Sequence, residues 1–305
     1  MKSKKVIDLK LTYQCNNDCI YCCQERELRY KETFLTPTKI NDFLQNSNIK
    51  YDKAVLTGGE PTLNSELIQI VTLLTKYHIP EIQLQTNGRL LSNMEYLHKL
   101  IKNGVNSFGI SLHGHNEKIH EAFTGTNNSF NEVILGLENL KKFNLPVTLN
   151  CVITKHNIDF LKNIVDFVLK RKYCNQIQFA FIHITGKAKN KTSDFVRITD
   201  VANKIKEVID LYKDKIVILT EAIPLCLMYK HEKNVAELYS IFDTTVLDFR
   251  STINFTSEMK RNFKAKGVDC NKCIFFEICD GPWIEYPTIY GYDEFKPVYY
   301  FRSEY

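Results

Sequence analysis

Ten cysteines occur in 305 residues, and four of them fall between Cys15 and Cys23 in the stretch "LTYQCNNDCIYCCQ". Cys15, Cys19 and Cys22 have the spacing C-x3-C-x2-C. Three thiolates on one short loop suit an iron–sulfur centre or zinc, because soft sulfur ligands select those metals. On a four-iron cluster they would leave one iron without a protein ligand, and an open coordination position is the mark of a reactive metal centre. A structural zinc knuckle is the alternative that spacing leaves open. A second group stands far along the chain: "DCNKCIFFEICDGPW", residues 269–283, places Cys270, Cys273 and Cys279 as C-x2-C-x5-C, with Cys226 upstream. Four thiolates would saturate one cluster or one zinc ion, and spacing does not choose between them.

The bulk composition is that of an ordinary globular chain. Hydrophobic residues make up 44 % and charged residues 25 %, and a net charge of +5 comes from 40 basic and 35 acidic residues spread along the sequence. No dense basic run suggests a nucleic-acid partner. No stretch approaches the ~18 consecutive apolar residues of a membrane span, and Met1 to Lys10 lacks an apolar core of secretory length. The expectation is a cytoplasmic protein whose clustered cysteines are ligands or catalysts rather than disulfides.

The elements that must position these thiols alternate in type. Candidate strands are 6–11, 53–57, 81–86, 107–112, 147–153 and 177–182. Helix-length segments between them open at Thr36-Pro37, Asn64, Ser92, Ser129 and Asn157, and a sixth opens at Thr199. Strand then helix, repeated, predicts an α/β fold with a parallel sheet. The strands themselves alternate apolar with polar, as in Ile7, Leu9 and Leu11 against Asp8, Lys10 and Thr12. Side chains alternate across a strand, so one face must meet helices and the other something polar. A curved six-stranded (β/α)6 partial barrel with a polar lumen follows. After about residue 220 the pattern changes to cysteines and an aromatic tail (Trp283, Tyr286, Tyr290, Tyr292, Phe295, Tyr299, Tyr300). The division expected is 1–220 for the barrel and 221–305 for a small module with a metal centre.

Motif and context together resemble the radical S-adenosylmethionine (SAM) superfamily. "YQCNNDCIYC" follows the first strand, with Tyr21 before the third cysteine, and the second strand ends in "TGGEP", Thr57 to Pro61. The resemblance covers about residues 5–220. It implies a SAM-cleaving [4Fe–4S] cluster on Cys15, Cys19 and Cys22, and a 5′-deoxyadenosyl radical that takes a hydrogen from substrate. It also implies that Gly58, Gly59, Glu60 and Pro61 bind the methionyl amine, the glycines permitting close backbone approach to the ligand. Asn87 and Ser111 would hold ribose and carboxylate, with Asn150 a further contact and Tyr21 near the adenine. Relatives with an arginine before the glycine of the "SLHGHNEKIHEAFTG" segment would contact the carboxylate there; this chain has Thr124. His113, lumen-facing by parity, is either a replacement for that contact or a hydrogen-bonded rim histidine.

The second cysteine group resembles the auxiliary-cluster module of SPASM/twitch enzymes in its single-cluster, twitch-like form, with Cys226, Cys270, Cys273 and Cys279 as ligands of a second [4Fe–4S] cluster. Cys226 could instead return a hydrogen atom to substrate, and Cys23 is either a bystander or such a donor. Cys151 and Cys174 are expected to be structural. The resemblance makes the chain an oxidoreductase-type radical SAM enzyme served by a reductant such as flavodoxin or ferredoxin. Its expected substrate is a ribosomally made peptide, modified by oxidation, cross-linking or epimerisation. The alternative is dehydrogenation or rearrangement of a small metabolite, and a more remote one is a non-catalytic iron–sulfur scaffold or electron carrier. Because the first strand follows Met1 so closely, no leader-peptide-binding domain is expected, which counts against the peptide reading.

Overall fold

The alternation read from the first strand holds from Ile7 to Leu11, while Thr12, expected on the polar face, is fully buried. β1 (Lys4–Thr12) buries Ile7, Leu9 and Leu11 and leaves Asp8 and Lys10 half-buried on the opposite face. The computed structural model describes residues 3–24, 33–239 and 242–299; Tyr300 of the aromatic tail lies outside them. β2 (Lys53–Gly58), β3 (Glu81–Thr86), β4 (Ser107–Ser111), β5 (Val147–Ile153) and β6 (Gln176–Phe181) follow, each parallel to the one before. All six expected strands are present in the expected order.

Three further strands join the same sheet. β7 (Val217–Glu221) pairs parallel with β6, β8 (Phe242–Leu247) lies parallel to β1 on its other side, and β9 (Thr252–Asn254) runs antiparallel to β8. The order β7-β6-β5-β4-β3-β2-β1-β8-β9 makes a nine-stranded, mostly parallel sheet, consistent with a partial barrel that is extended at its β1 edge. Residues 242–254, which the sequence pattern assigned to the second module, therefore pair with the barrel sheet.

Helices α1 (Pro37–Asn46), α2 (Leu67–Lys76), α3 (Met94–Asn103), α4 (Glu117–Thr124), α5 (Ser129–Leu140), α6 (Leu161–Arg171) and α7 (Ile198–Tyr212) connect the parallel strands. Thr36 caps α1 as expected, accepting from Lys39 N. Elsewhere a 3-10 turn precedes the helix and displaces the cap: α3 is capped by Asn93, not Ser92, and α2 starts beyond Asn64. Asn64 has another task. Its amide donates to Leu11 O and Leu35 O at 3.2 Å each, tying the end of β1 to the start of α2. The apolar strand face and the inner helix faces form one core, in which Leu56, Leu84, Phe108 and Ile70 are 0 % exposed. Each such side chain contributes about 1.5–3 kcal/mol by leaving water. The other strand face stays polar: Ser111, Asn150 and Gln178 share one row of the register.

Candidate functional site

The cysteine loop leaves β1 at the rim and is clamped from several strands at once. Asp18 N donates to Thr124 O at 2.9 Å and Ile20 N to Phe123 O at 3.0 Å, so the end of α4 holds the middle of the loop. From the turn after β6, Lys187 N donates to Cys22 O at 3.0 Å and Thr185 Oγ1 to Cys23 O at 3.1 Å. Lys187 Nζ reaches Asp18 Oδ1 at 2.8 Å. Arg89, following β3, donates to Asn16 O and Asn17 Oδ1 while its Nε pairs with Glu132. The three motif cysteines are thereby brought to one loop, half-buried and outside any disulfide, with Cys23 exposed beside them.

The "TGGEP" turn is built against this loop. Gly59 N donates to Thr12 O at 2.7 Å and Glu60 N to Gln14 O at 2.7 Å. A Cβ on Gly58 would lie 2.2 Å from Thr12 O, and one on Gly59 would lie 2.3 Å from Gln14 O. The close approach seen here that demands glycine is to the backbone entering the cysteine loop. Gly59→Ala is expected to cost at least about 2 kcal/mol, because the obstructing atoms are backbone and cannot swing aside; urea unfolding measures it.

Glu60 is 1 % exposed and is spent on structure. Oε1 accepts from Thr62 Oγ1 at 2.6 Å, Thr62 N at 3.1 Å and Thr86 Oγ1 at 2.5 Å, while Oε2 accepts from Asn87 N at 2.8 Å. Burial pushes its carboxyl pKa up and these donors pull against that rise. Its side chain therefore holds Asn87 in place. Asn87 Nδ2 lies 2.7 Å from Asn16 Oδ1 and 3.9 Å from Cys15 Sγ, so the third strand delivers an amide directly to the cysteine loop. Pro61 is buried at the start of the following 3-10 turn.

Of the remaining lumen candidates, Ser111 is half-exposed to the interior, and Asn150 Oδ1 is a buried oxygen with no hydrogen-bond partner among the described residues. An orphaned acceptor in a polar row is what a missing ligand leaves behind. Tyr21 is 4 % exposed, its ring about 6 Å from those of Phe123, His156 and Phe195. His113 is 5 % exposed and stacks on Phe123 at 3.8 Å. Its Nδ1 accepts from Val152 N at 3.3 Å, and burial drives its pKa well below the usual histidine value. These contacts favour a neutral ring that is hydrogen-bonded at the rim. Thr124 is fully buried and shares a 2.7 Å hydroxyl contact with Ser129.

Cys226, Cys270, Cys273 and Cys279 line one cavity with Phe275, Tyr292 and Phe295. Cys273 Sγ accepts from Val298 N at 3.3 Å. The Cys226 thiol is pushed up to about 12, first by burial and then by the neighbouring Cys279, Cys273 and Cys270. Among the described residues no three His, Cys, Asp or Glu side chains converge as ligands of a single ion. Cys151, on β5, is fully buried, and Cys174 donates to Gln176 O at 3.1 Å.

Sequence reasoning missed Arg89, Thr185, Gly186 and Lys187. One local signal could have found part of this set. The dipeptide Thr-Gly recurs at Thr57-Gly58, Thr124-Gly125 and Thr185-Gly186, and each glycine abuts the cysteine loop: Thr12, Asp18 and Cys23-Gln24 respectively. Helix α4 was also missed, although Asn116 caps it by accepting from Ile119 N and Gly125 ends it.

Residues 9–168 match the family described as "Radical SAM superfamily". The chain is similar to the probable GTP 3′,8-cyclase of Sulfurisphaera tokodaii, 32 % identical over 67 % of this chain and 65 % of the relative. It is also similar to that of Methanococcus aeolicus, 30 % identical over 70 % and 69 %. The chain thus spans about 65 % of the length of the first of these relatives. In fold it resembles Streptococcus suis SuiB bound to S-adenosylmethionine (TM-score 0.69, 16 % identity, 92 % of this chain, 73 % of that one). It also resembles anSMEcpe with bound AdoMet and a peptide (TM-score 0.65, 17 % identity, 92 % and 88 %). These structures bear on fold alone. The expectation of a ribosomally made peptide as substrate is overturned, since the curated relatives are named for a cyclase of a small nucleotide. No helix among the described residues is long and apolar enough to cross a membrane.

Proposed function

The chain belongs to the radical SAM superfamily, and from that premise we propose that it rearranges a small metabolite, a purine nucleoside triphosphate cyclised as by a GTP 3′,8-cyclase. The observation that carries this reading is the likeness to proteins of that name across two thirds of the chain. Membership implies a [4Fe–4S] cluster and SAM, which when bound supply a 5′-deoxyadenosyl radical able to take a hydrogen atom from substrate.

The chain's own residues fit that pair. Cys15, Cys19 and Cys22 would be the cluster ligands, on a loop whose backbone is fixed by α4, Lys187 and Arg89. Asn87, oriented by Glu60, would bind SAM beside Cys15, and the unpartnered Asn150 oxygen would accept a hydrogen bond from the ligand. Ser111 shares the row with Asn150. The backbone of Gly58 to Pro61, rather than the occupied Glu60 carboxylate, would meet the methionyl amine. Tyr21 would close the aromatic side of the site. The rigid frame matters because a positioned reactant gains what a freely tumbling one must spend in entropy.

The second group would hold an auxiliary [4Fe–4S] cluster through Cys226, Cys270, Cys273 and Cys279, which ring a cavity instead of converging on one point. Residues 1–220 would then carry SAM and 221–305 the second centre, with β8 and β9 returning to the barrel. A one-electron donor of the flavodoxin or ferredoxin type would reduce the first cluster.

Under a low-potential reductant, GTP is expected to raise release of 5′-deoxyadenosine about tenfold or more over the nucleotide-free rate, ~1.4 kcal/mol of barrier. A cyclised guanosine triphosphate product should accompany it. Equal release with GTP, with ATP and with no nucleotide would overturn the reading.

A further inference from the structure

The connection from β6 to α7 touches the surroundings of both cysteine groups. At its start Phe181 packs edge-on against Tyr286, ring centroids 5.4 Å apart, and His183 stacks on Trp283 at 4.2 Å. A few residues on, it clasps the first cysteine loop. Thr185 Oγ1 donates to Cys23 O and Lys187 N to Cys22 O, and a Cβ on Gly186 would lie 2.4 Å from Gln24 O. Ile182, Ile184 and Ala188, buried in the core, root the same run. At its end the connection returns to the C-terminal segment that carries Cys270, Cys273 and Cys279. Ile198 N donates to Tyr286 Oη at 2.9 Å, Thr199 N donates to Glu294 Oε2 at 3.1 Å, and Arg197 Nε lies 2.8 Å from Glu294 Oε1. Tyr286 Oη in turn donates to Glu294.

One continuous run is thus gripped by the C-terminal segment at both ends and holds the first cysteine loop in its middle. The second grip is strong for a physical reason. The first N–H groups of a helix lack intrahelical partners, and the helix dipole favours a negative charge there. Glu294 supplies that charge to α7, a helix of 15 residues, and its hydrogen bonds are of the charge-assisted kind. Tyr286 is 0 % exposed, so its hydroxyl is fixed where Ile198 N meets it. Neither residue lines the cavity of the second cysteine group. Their reach toward the chemistry goes through the start of α7. Two centres acting on one bound substrate must keep their spacing, and a misplacement on the order of 1 Å costs roughly a hundredfold in rate.

We propose that Tyr286 and Glu294 are positioning residues: through the connection 181–199 they hold the first cysteine loop in register with the C-terminal cysteine segment. The proposal rests on both groups serving one reaction, as in the reading above. The mechanical link itself does not depend on which substrate is bound.

Tyr286→Phe keeps the buried ring and removes the hydroxyl, and Glu294→Gln keeps the shape and removes the charge. Amide hydrogen exchange on the reconstituted holoenzyme reads both ends of the link, since Ile198 N and Thr199 N are the anchored donors and Lys187 N is the clasp on Cys22 O. In the double variant, exchange at Lys187 and Cys22 should rise about tenfold together with that at Ile198 and Thr199. The amides of Leu84 in β3 and Ile110 in β4 should keep their wild-type rates. Release of 5′-deoxyadenosine from SAM alone should stay within about twofold of wild type, while the amount released per nucleotide product should rise about tenfold. Faster exchange confined to Ile198 and Thr199 would overturn the link, as would an equal rise at Leu84 and Ile110, the mark of global destabilisation. A wild-type ratio of 5′-deoxyadenosine to product in the double variant would overturn the positioning role. Absence of any cyclised nucleotide from the wild-type enzyme would sink the cyclase reading instead, with the exchange rates still deciding the link.

Discussion

Alanine at Cys15, Cys19 or Cys22 is expected to reduce release of 5′-deoxyadenosine and methionine by more than about a thousandfold, ~4 kcal/mol in barrier terms. The size of the effect follows from how the loop is held. Its carbonyls and amides are engaged by Thr124, Phe123, Lys187 and Arg89, so a vacated ligand position cannot be refilled by a small backbone shift. One neighbouring sulfur could stand in. Cys23 follows Cys22 directly and is exposed, so any residue of activity in Cys22→Ala should vanish in the Cys22→Ala/Cys23→Ala double variant. Iron content measured in parallel should fall to that of the second centre alone. Undiminished cleavage in all three single variants would refute the ligand assignment.

The second large effect concerns the other cysteine group. Anaerobic reconstitution should give about eight irons per chain, and Cys273→Ala or Cys279→Ala about four, if each group binds a four-iron cluster. These variants should retain SAM cleavage while losing the nucleotide product. Two physical roles could produce that loss. An auxiliary centre can act on bound substrate, and metal binding can also supply folding energy to a small module. The topology helps separate them, since β8 and β9 lie between Cys226 and Cys270 yet pair with the barrel sheet. A purely structural role predicts a lower melting temperature alongside lost turnover, and a substrate role predicts lost turnover with melting unchanged. Zinc in place of iron at Cys226, Cys270, Cys273 and Cys279 would overturn the auxiliary cluster. So would normal product formation in folded variants.

Both predictions depend on residues found by spacing, and local features are what a sequence displays most directly. The cysteine spacing, the turn after the second strand and the period-2 alternation of Ile7 to Thr12 each span a few residues. They determined the radical SAM chemistry, the six central strands and the polar lumen. Asn87 and Asn150 were legible by the same route, because parity and the end of a strand place a side chain on a known face. The substrate class was not legible. A resemblance in the second cysteine group suggested peptides, while the curated relatives over two thirds of the chain are named for a nucleotide cyclase.

What required the tertiary structure was every fact that joins distant segments. β8 pairs with β1 from Lys4 opposite Phe242 onward, and no local pattern reveals which edge a late strand will choose. Glu60 looked like a ligand contact from its motif, but the proximity of Thr62, Thr86 and Asn87 turned its carboxylate into a brace. His113 has the parity of a lumen residue, and only the approach of Phe123 and Val152 N made it a buried, neutral ring. Lys264, Trp283, His183 and Glu285 carry no shared spacing at all. Their meeting, with Lys264 over the Trp283 ring, His183 stacked on that ring and Glu285 beside His183, depends on long-range packing that sequence distance conceals.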